Sequence, residues 1–254
     1  MSAKNLIQLS LINALVKIGG RHLLDHIYLD LNPGECVVIW GLNGVGKSSL
    51  LDVLSGWRGL DQGAVFLNGE NIKNLTIKTR ANYLAYLTQE SKVLFDDQVL
   101  ELLKIFKVDL KIINHWAEIL KVKNLLNRSF QSLSGGEKSK IFILKKILQL
   151  IKLSKLSKLN QENLRGSYLL LDEPMAHLDQ LYQQEFLEVL LKLKQQGLGV
   201  LLVMHDLNQA WSCADRFFIY FQGCLYFCKD EQALFKNFKD FYQKDLSRGE
   251  GFVF

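Results

Sequence analysis

The sequence predicts an α/β fold in which buried strands alternate with helices. Two observations support this prediction. A short apolar run, Cys36–Trp40, is joined by a glycine-rich loop to a segment with helical spacing, Ser48–Leu54. A second apolar run, Tyr168–Leu171, ends in two adjacent carboxylates. Because open α/β sheets bind ligands at the carboxyl ends of their strands, both runs also predict where a site would lie.

The first part of the chain is predicted to be rich in strands. Residues 1–32 form a strand-rich entry with a turn at Gly19-Gly20-Arg21. A second turn at Asn68-Gly69 follows the strand Ala64–Leu67, and Tyr83–Thr88 also has the pattern of a strand.

The glycine-rich loop at residues 41–49 fits the pattern G-x-x-x-x-G-K-[ST] without a mismatch. Its glycines let successive backbone N–H groups point at one phosphate, and the following helix adds the positive end of its dipole. The lysine supplies a charge for the terminal phosphates, and the first serine supplies a hard oxygen ligand for Mg²⁺. The predicted nucleotide-binding residues of this loop are Gly41, Asn43, Gly44, Val45, Gly46, Lys47, Ser48 and Ser49.

The two carboxylates after the second apolar run have different predicted roles. Asp172 lies at the end of the strand and is expected to hold Mg²⁺, through water, together with Ser48. Glu173 is expected to lie beside the γ-phosphate and to polarise the attacking water.

Residues 133–137, Leu-Ser-Gly-Gly-Glu, are predicted to begin a helix. Ser134 is a good N-cap, and the apolar residues that follow it have helical spacing. Gly135 and Gly136 leave backbone N–H groups exposed at the positive end of the dipole, which predicts a second anion site. Residues 90 to about 134 also have a helical pattern, carried by Val99, Leu102, Leu103, Phe106, Ile112, Trp116, Ile119 and Leu120.

With these motifs in this order, the chain resembles the ATPase subunit of an ATP-binding cassette (ABC) transporter over nearly its whole length. The resemblance implies one P-loop NTPase domain over residues 1–254, with a RecA-like core, an antiparallel β subdomain and a helical subdomain inserted at about residues 90–150. It also implies ATP as the nucleotide and Mg²⁺ as its metal.

The resemblance assigns roles to further residues. Gln89 resembles the glutamine that contacts Mg²⁺ or water and senses the membrane partner, and it joins the predicted metal ligands. Asp179 resembles the aspartate of the D-loop, and His205 resembles the switch histidine that contacts the γ-phosphate. Glu173, His205 and Gln89 are therefore the predicted catalytic set.

The chain departs from the family pattern at three positions. Ile18 stands where the family usually has an aromatic residue that stacks on adenine, which predicts weak base selectivity. Glu137 replaces the commoner glutamine of the signature, and Met175 replaces the usual threonine after the catalytic glutamate and proline.

Composition is consistent with a single large domain. The chain is 48% hydrophobic, and no stretch approaches the apolar length of roughly 18–20 residues that a membrane span needs. No secretory signal is visible, so we expect a cytosolic protein. The four cysteines, at positions 36, 213, 224 and 228, lack zinc-site spacing and are expected to be reduced and structural.

The net charge, the lysine-rich repeat and the C-terminal tail give little information about the function. The net charge of +5 is too mild to predict nucleic-acid binding. The Lys-Leu-Ser repeat at 152–159 is interpreted as a solvated helical edge, with contact to anionic lipid as the alternative. The aromatic tail, Asp230–Phe254, is expected to pack against the core.

The resemblance predicts partners. One P-loop and one signature imply a second copy of the chain, bound head to tail, with Ser134, Gly135 and Gly136 contacting the nucleotide of the other copy. Integral membrane permease subunits are expected, and a periplasmic or surface substrate-binding protein indirectly. The chain would then lie on the cytoplasmic face of the inner membrane as a peripheral subunit.

The cargo is a weaker prediction. Residues 163–175 and the segment from Gln195 to Asn208 are similar to the vitamin B12 importer ATPase, which favours cobalamin import. A haem or iron-siderophore importer remains open, as do a haem or lipid exporter and a soluble ABC ATPase such as an iron–sulfur assembly factor. A nucleotide kinase is disfavoured, because the signature and His205 would have no role in it.

Overall fold

The computed structural model describes residues 7–88, 97–153, 164–175 and 178–242. The strands are β1 Leu9–Ile18, β2 Arg21–Leu31, β3 Cys36–Trp40, β4 Gln62–Leu67, β5 Glu70–Asn71, β6 Leu84–Leu87, β7 Tyr168–Asp172, β8 Gly199–Met204, β9 Arg216–Phe221 and β10 Cys224–Cys228. The helices are α1 Lys47–Leu54, α2 Ile77–Ala81, α3 Val99–Lys104, α4 Leu110–Ile119, α5 Gly135–Leu153, α6 Gln180–Gln195, α7 Leu207–Cys213 and α8 Glu231–Tyr242.

A six-stranded sheet in the order β10-β9-β3-β8-β7-β6 forms the centre of the molecule. All neighbouring strands in it are parallel except β9 and β10, which form an antiparallel hairpin at one edge. The loop after β3 therefore lies at the same edge of the sheet as the loops after β7 and β8. The predicted α/β class is confirmed, and the two apolar runs that predicted it are β3 and β7.

The strand-rich entry forms a separate antiparallel sheet in the order β2-β1-β4-β5. The predicted turn at Gly19-Gly20 connects β1 to β2, and both glycines have positive φ. The strand predicted at Ala64–Leu67 begins two residues earlier, at Gln62.

Each face of the central sheet has its own hydrophobic core. Along β3, Val38 and Trp40 face the helices α3–α8, whereas Val37 and Ile39 face α1 and the antiparallel sheet. This alternation follows from the two-residue period of a strand. A strand that is covered on both faces is apolar throughout, which is why β3, β7 and β8 are recognisable in the sequence.

The helical segment between β6 and β7 packs on one face of the central sheet. Trp116 of α4 is almost fully buried in the same core as α5, and the Gln149 side chain of α5 donates to the carbonyl groups of Ala81 and Leu84 at 3.1 and 3.3 Å. In the described residues from Val99 to Leu153, this segment contains the helices α3, α4 and α5. Most of the Lys-Leu-Ser repeat lies outside the described residues.

The described part of the tail packs on the core, as expected. In α8, Phe238 lies 5.4 Å from the Trp40 ring and Phe241 stacks on Phe221 at 4.7 Å. All four cysteines are free thiols in the structure. None of the helices in the described ranges is both long and apolar enough to cross a membrane.

Candidate functional site

The sheet topology brings the P-loop, Glu173 and His205 together at one edge. Strands β7, β8 and β3 are neighbours, and in register Asp172 pairs with Val203 while Trp40 pairs with Met204. The P-loop follows β3, Glu173 follows β7 and His205 follows β8, so three separate sequence segments meet in space. The side chains at this edge are those of Lys47, Ser48, Asp172, Glu173 and His205.

The P-loop curls as its glycines predicted. Gly44 and Gly46 have φ angles of +77° and +117°, in the region that favours glycine. At Gly41 a Cβ atom would lie 2.8 Å from the Tyr220 carbonyl oxygen, so β9 leaves room only for a glycine there. α1 begins at Lys47, one residue before the predicted start, and its first N–H groups open towards the loop.

Lys47 lies at the centre of the loop and is only 5% exposed. Its ammonium group donates to the carbonyl oxygens of Gly41 and Leu42 at 2.7 and 2.8 Å. Burial lowers the pKa of Lys47, while the charges of Glu173 and Asp172 act in the opposite direction. A buried cation between loop carbonyls and two carboxylates is placed to bind phosphate oxygens.

Asp172 and Ser48 form the candidate metal site. Asp172 is 4% exposed and accepts a hydrogen bond from the Ser48 hydroxyl. Burial raises the pKa of Asp172, the Ser48 hydrogen bond lowers it, and the neighbouring charge of Glu173 raises it further. A carboxylate and a hydroxyl held against each other are hard oxygen donors, which fits Mg²⁺.

Glu173 is held in an unusual backbone conformation. Its φ of +48° is rare for a residue with a side chain, and its backbone N–H donates to the Val203 carbonyl of β8 at 3.0 Å. The side chain is 11% exposed and lies 3.7 Å from His205, measured from Oε2 to Nδ1. The carboxylate is thus directed into the same space as the His205 imidazole.

His205 is positioned from both sides. The indole N–H of Trp40 donates to the His205 carbonyl at 2.7 Å, which fixes the loop after β8 against the end of β3. Asp206 caps α7, because its carboxylate accepts from the Gln209 backbone N–H at 3.0 Å. The imidazole itself remains more than half exposed.

The signature segment begins α5 as predicted. The Ser134 backbone N–H donates to the Glu137 carboxylate at 2.8 Å, and the Glu137 N–H donates back to the Ser134 hydroxyl at 3.3 Å. This capping box explains the glutamate at the fifth signature position, and it lowers the pKa of Glu137. Ser134 and Gly135 are exposed. Within the described ranges, no hydrogen bond or ion pair joins them to the P-loop.

The other predicted residues have separate positions. Asp179 caps α6 by accepting from the Tyr182 amide at 3.0 Å. Ile18 lies at the end of β1, and its side chain is 49% exposed. The next strand approaches the P-loop, because the Leu23 carbonyl accepts from the Tyr220 hydroxyl that lies beside Gly46. Gln89 lies outside the described residues.

Sequence reasoning missed the residues that support the site. Trp40 was assigned only to a buried strand, although it binds the His205 loop. Its place as the last residue of β3 is the one signal that could have suggested this role. The strained backbone of Glu173 has no signal in the sequence.

Comparisons with known proteins agree with this geometry. The family described as "ABC transporter" matches residues 24–156. The hemin import ATP-binding protein HmuV of Photobacterium damsela subsp. piscicida is 33% identical over 231 residues, which cover 88% of this chain and 83% of the relative. The protein of the same name from Pseudomonas putida is 35% identical over 225 residues, which cover 85% and 84%.

A solved structure supports the fold. The dimeric structure of MJ0796, a bacterial ABC transporter cassette, matches with a TM-score of 0.71 at 22% identity and covers 85% of this chain and 96% of that one. The family match spans more than half of the chain, and the two HmuV relatives exceed 30% identity over most of it. The chain therefore belongs to the ABC transporter family, as an ATP-binding subunit that hydrolyses ATP.

Proposed function

We propose that this protein powers the import of a metal-chelate nutrient through a separate membrane permease. The meeting of Lys47, Asp172, Glu173 and His205 at one edge of the central sheet supports the ATP-hydrolysing part of this proposal, and the two HmuV relatives support import of a chelate. We also propose that residues 1–254 form a single ATPase domain, with the helical subdomain at about residues 90–150.

The P-loop would bind the triphosphate of ATP. Backbone N–H groups of residues 41–49 surround the phosphates, and the ammonium group of Lys47 exchanges its loop carbonyls for phosphate oxygens. Ser48 and Asp172 would hold Mg²⁺, which neutralises phosphate charge when bound. Gln89 is assigned to the same metal by the family pattern.

Glu173 and His205 would carry the hydrolytic step. The carboxylate of Glu173 accepts a hydrogen bond from the attacking water and orients it towards the γ-phosphate. The imidazole of His205 contacts the γ-phosphate from the neighbouring strand end. Because the two side chains are 3.7 Å apart, Glu173 can contact the water while His205 contacts the phosphate in the same site.

A complete site would need a second copy of the chain. Ser134 and Gly135 are exposed at the start of α5, and within the described residues their backbone N–H groups do not contact the P-loop. The head-to-tail dimer supplies them to the other nucleotide, with Asp179 at the junction. Closure around two ATP molecules excludes water from the sites, and hydrolysis reopens the dimer.

The permease is proposed to dock near the end of β6. A groove there is lined by Trp57, Ile77, Tyr86 and Lys146. Trp57 and Ile77 are 76% and 78% exposed, which is high for large apolar side chains on a monomer. β6 leads directly to Gln89, so this surface adjoins the segment that we expect to sense the γ-phosphate. Docking would place the chain on the cytoplasmic face of the inner membrane.

Hemin is the cargo that the relatives support best. Both HmuV proteins are hemin import proteins by name, and neither relative concerns vitamin B12. Vitamin B12, which the sequence favoured, stays the alternative within the same chelate class. The ATPase does not contact the cargo, so a periplasmic or surface binding protein and the permease would select it.

The test of catalysis uses Glu173→Gln. The amide keeps the shape of the side chain but cannot accept a proton, so ATP should still bind while hydrolysis falls by about a hundredfold or more. With ATP and Mg²⁺ the variant should accumulate as a dimer in size-exclusion chromatography. Turnover close to that of the unmodified protein would remove Glu173 from this role.

The test of transport is recovery of the protein from native membranes, followed by mass spectrometry of the proteins bound to it. We expect a permease among the bound proteins. In a separate uptake assay, we expect the cells that produce the protein to import hemin. Trp57→Glu should reduce recovery with membranes more than it reduces ATP binding. Absence of any membrane partner would favour the soluble-ATPase alternative.

A further inference from the structure

Two glutamine side chains connect the loops that follow Glu173 and His205. Gln183 lies on α6 and Gln209 lies on α7, yet the Gln209 amide N–H donates to the Gln183 amide oxygen at 2.6 Å. This contact joins two helices, and the two glutamines are 26 positions apart in the sequence. Both side chains line the pocket into which Glu173 and His205 are directed.

Gln183 also binds the loop between β7 and α6. Its amide N–H group donates to the carbonyl oxygens of Met175 and Leu178 at 3.2 and 3.1 Å. Its backbone N–H donates to the Asp179 carbonyl at 2.9 Å. The side chain thus folds back over the start of α6 and fixes the chain on both sides of residues 176 and 177, which lie outside the described residues.

Gln209 binds the other loop. Its backbone N–H donates to the Asp206 carboxylate, which caps α7 immediately after His205. The Trp40 indole holds the same loop from the opposite side through the His205 carbonyl. The loop of His205 is therefore fixed to β3 by Trp40 and to α6 by Gln209.

We infer that Gln183 and Gln209 form a positioning pair that sets the distance between the Glu173 carboxylate and the His205 imidazole, and that couples both to the D-loop at Asp179. The inference rests on the proposed roles of Glu173 and His205. Gln183 and Gln209 are assigned here as positioning residues. Each acts by keeping one catalytic loop in register with the other, which is needed because His205 is otherwise exposed and its contact with Glu173 is 3.7 Å long.

The test compares steady-state ATP hydrolysis of Gln209→Met, which removes the donor at nearly constant volume, with Gln209→Lys, which retains a donor. We expect Gln209→Met to lower kcat about threefold to tenfold, as the loss of one hydrogen bond of ordinary strength would, with KM for ATP unchanged. Gln209→Lys should recover most of the rate. Gln184→Met is the matched control, since Gln184 is an exposed residue next to Gln183 on α6.

A double-mutant cycle gives the second readout. Because Gln209 acts through Gln183, adding Gln209→Met to Gln183→Met should lower kcat no further than Gln183→Met alone. Additive losses, or a wild-type kcat in Gln209→Met, would overturn the inference. An equal loss of kcat in Gln209→Lys would also overturn it.

Glu173→Gln and His205→Ala separate this inference from the proposed function. If they abolish hydrolysis while Gln209→Met is fully active, the positioning pair alone fails. If they too remain active, the proposed catalytic roles fail, and the positioning pair fails with them.

Discussion

Replacing Lys146 with methionine should stabilise the isolated protein at neutral pH. Lys146 lies on α5 at the groove next to Trp57 and Tyr86 and is half-buried. No carboxylate within the described ranges pairs with its ammonium group. Burial, and then the like charge of Lys145, lower its pKa to about 8. The folded protein therefore holds this charge at a cost.

The magnitude follows from the pKa. A fall from the ordinary value of 10.5 to about 8 corresponds to about 3 kcal/mol, which is the upper limit of the cost at pH 7. We expect Lys146→Met to raise the free energy of unfolding by about 1–3 kcal/mol. The unfolded chain binds more protons than the folded one between about pH 8 and 10.5, so the stability of the unmodified protein rises with pH there.

The assay is urea unfolding at pH 7 and pH 10. The advantage of Lys146→Met should be full at pH 7 and smaller at pH 10, where the folded protein has already released the proton. Lys111→Met, an exposed position on α4, removes the same charge and serves as the control. Equal stability of Lys146→Met and the unmodified protein at pH 7 would refute the reasoning, as would an advantage that does not change with pH.

Three further predictions concern the nucleotide site and the sheet. Lys47→Ala should weaken ATP binding sharply, whereas Gly135→Asp should spare binding to the monomer and block dimer formation on size exclusion; equal losses of affinity would contradict this division. GTP should compete well with ATP in equilibrium binding to the unmodified protein. Ile18→Tyr should tighten ATP binding about fivefold or more, because tyrosine adds a surface on which adenine can stack. A strong preference of the unmodified protein for ATP would contradict the prediction that no aromatic residue stacks on the base. Gly63→Ala should lower the free energy of unfolding in urea by about 2 kcal/mol or more, because φ is +91° and a Cβ would lie 2.3 Å from a carbonyl oxygen of β1. The control Gly20→Ala also has a positive φ but has open space around the Cβ position, so it should lower the free energy of unfolding by only about 1 kcal/mol.

The sequence predicted the candidate site residues because each belongs to a pattern with a local cause. Phosphate binding needs glycines at fixed places in one loop, and an N-cap needs a short polar side chain directly before a helix. The P-loop and the N-cap at Ser134 were therefore predictable, and so were β3 and β7, whose apolar runs follow from burial on both faces.

Positions set by distant partners were not readable. The bond from Trp40 to the His205 carbonyl spans 165 residues, and the bond between Gln183 and Gln209 spans 26. Tryptophan and glutamine have many uses, so their types do not predict these contacts.

By itself, the sequence determined the fold class, the nucleotide loop and the order of the motifs, because these depend on periodicity and on short-range chemistry. Only the tertiary structure decided that the ends of β3, β7 and β8 are neighbours, that Glu173 takes a left-handed conformation and that Lys146 lies half-buried without a carboxylate partner in the described chain. The physical reason is that strand order, backbone strain and burial depend on contacts between segments far apart in the chain, and these contacts leave no local pattern in the residues that make them.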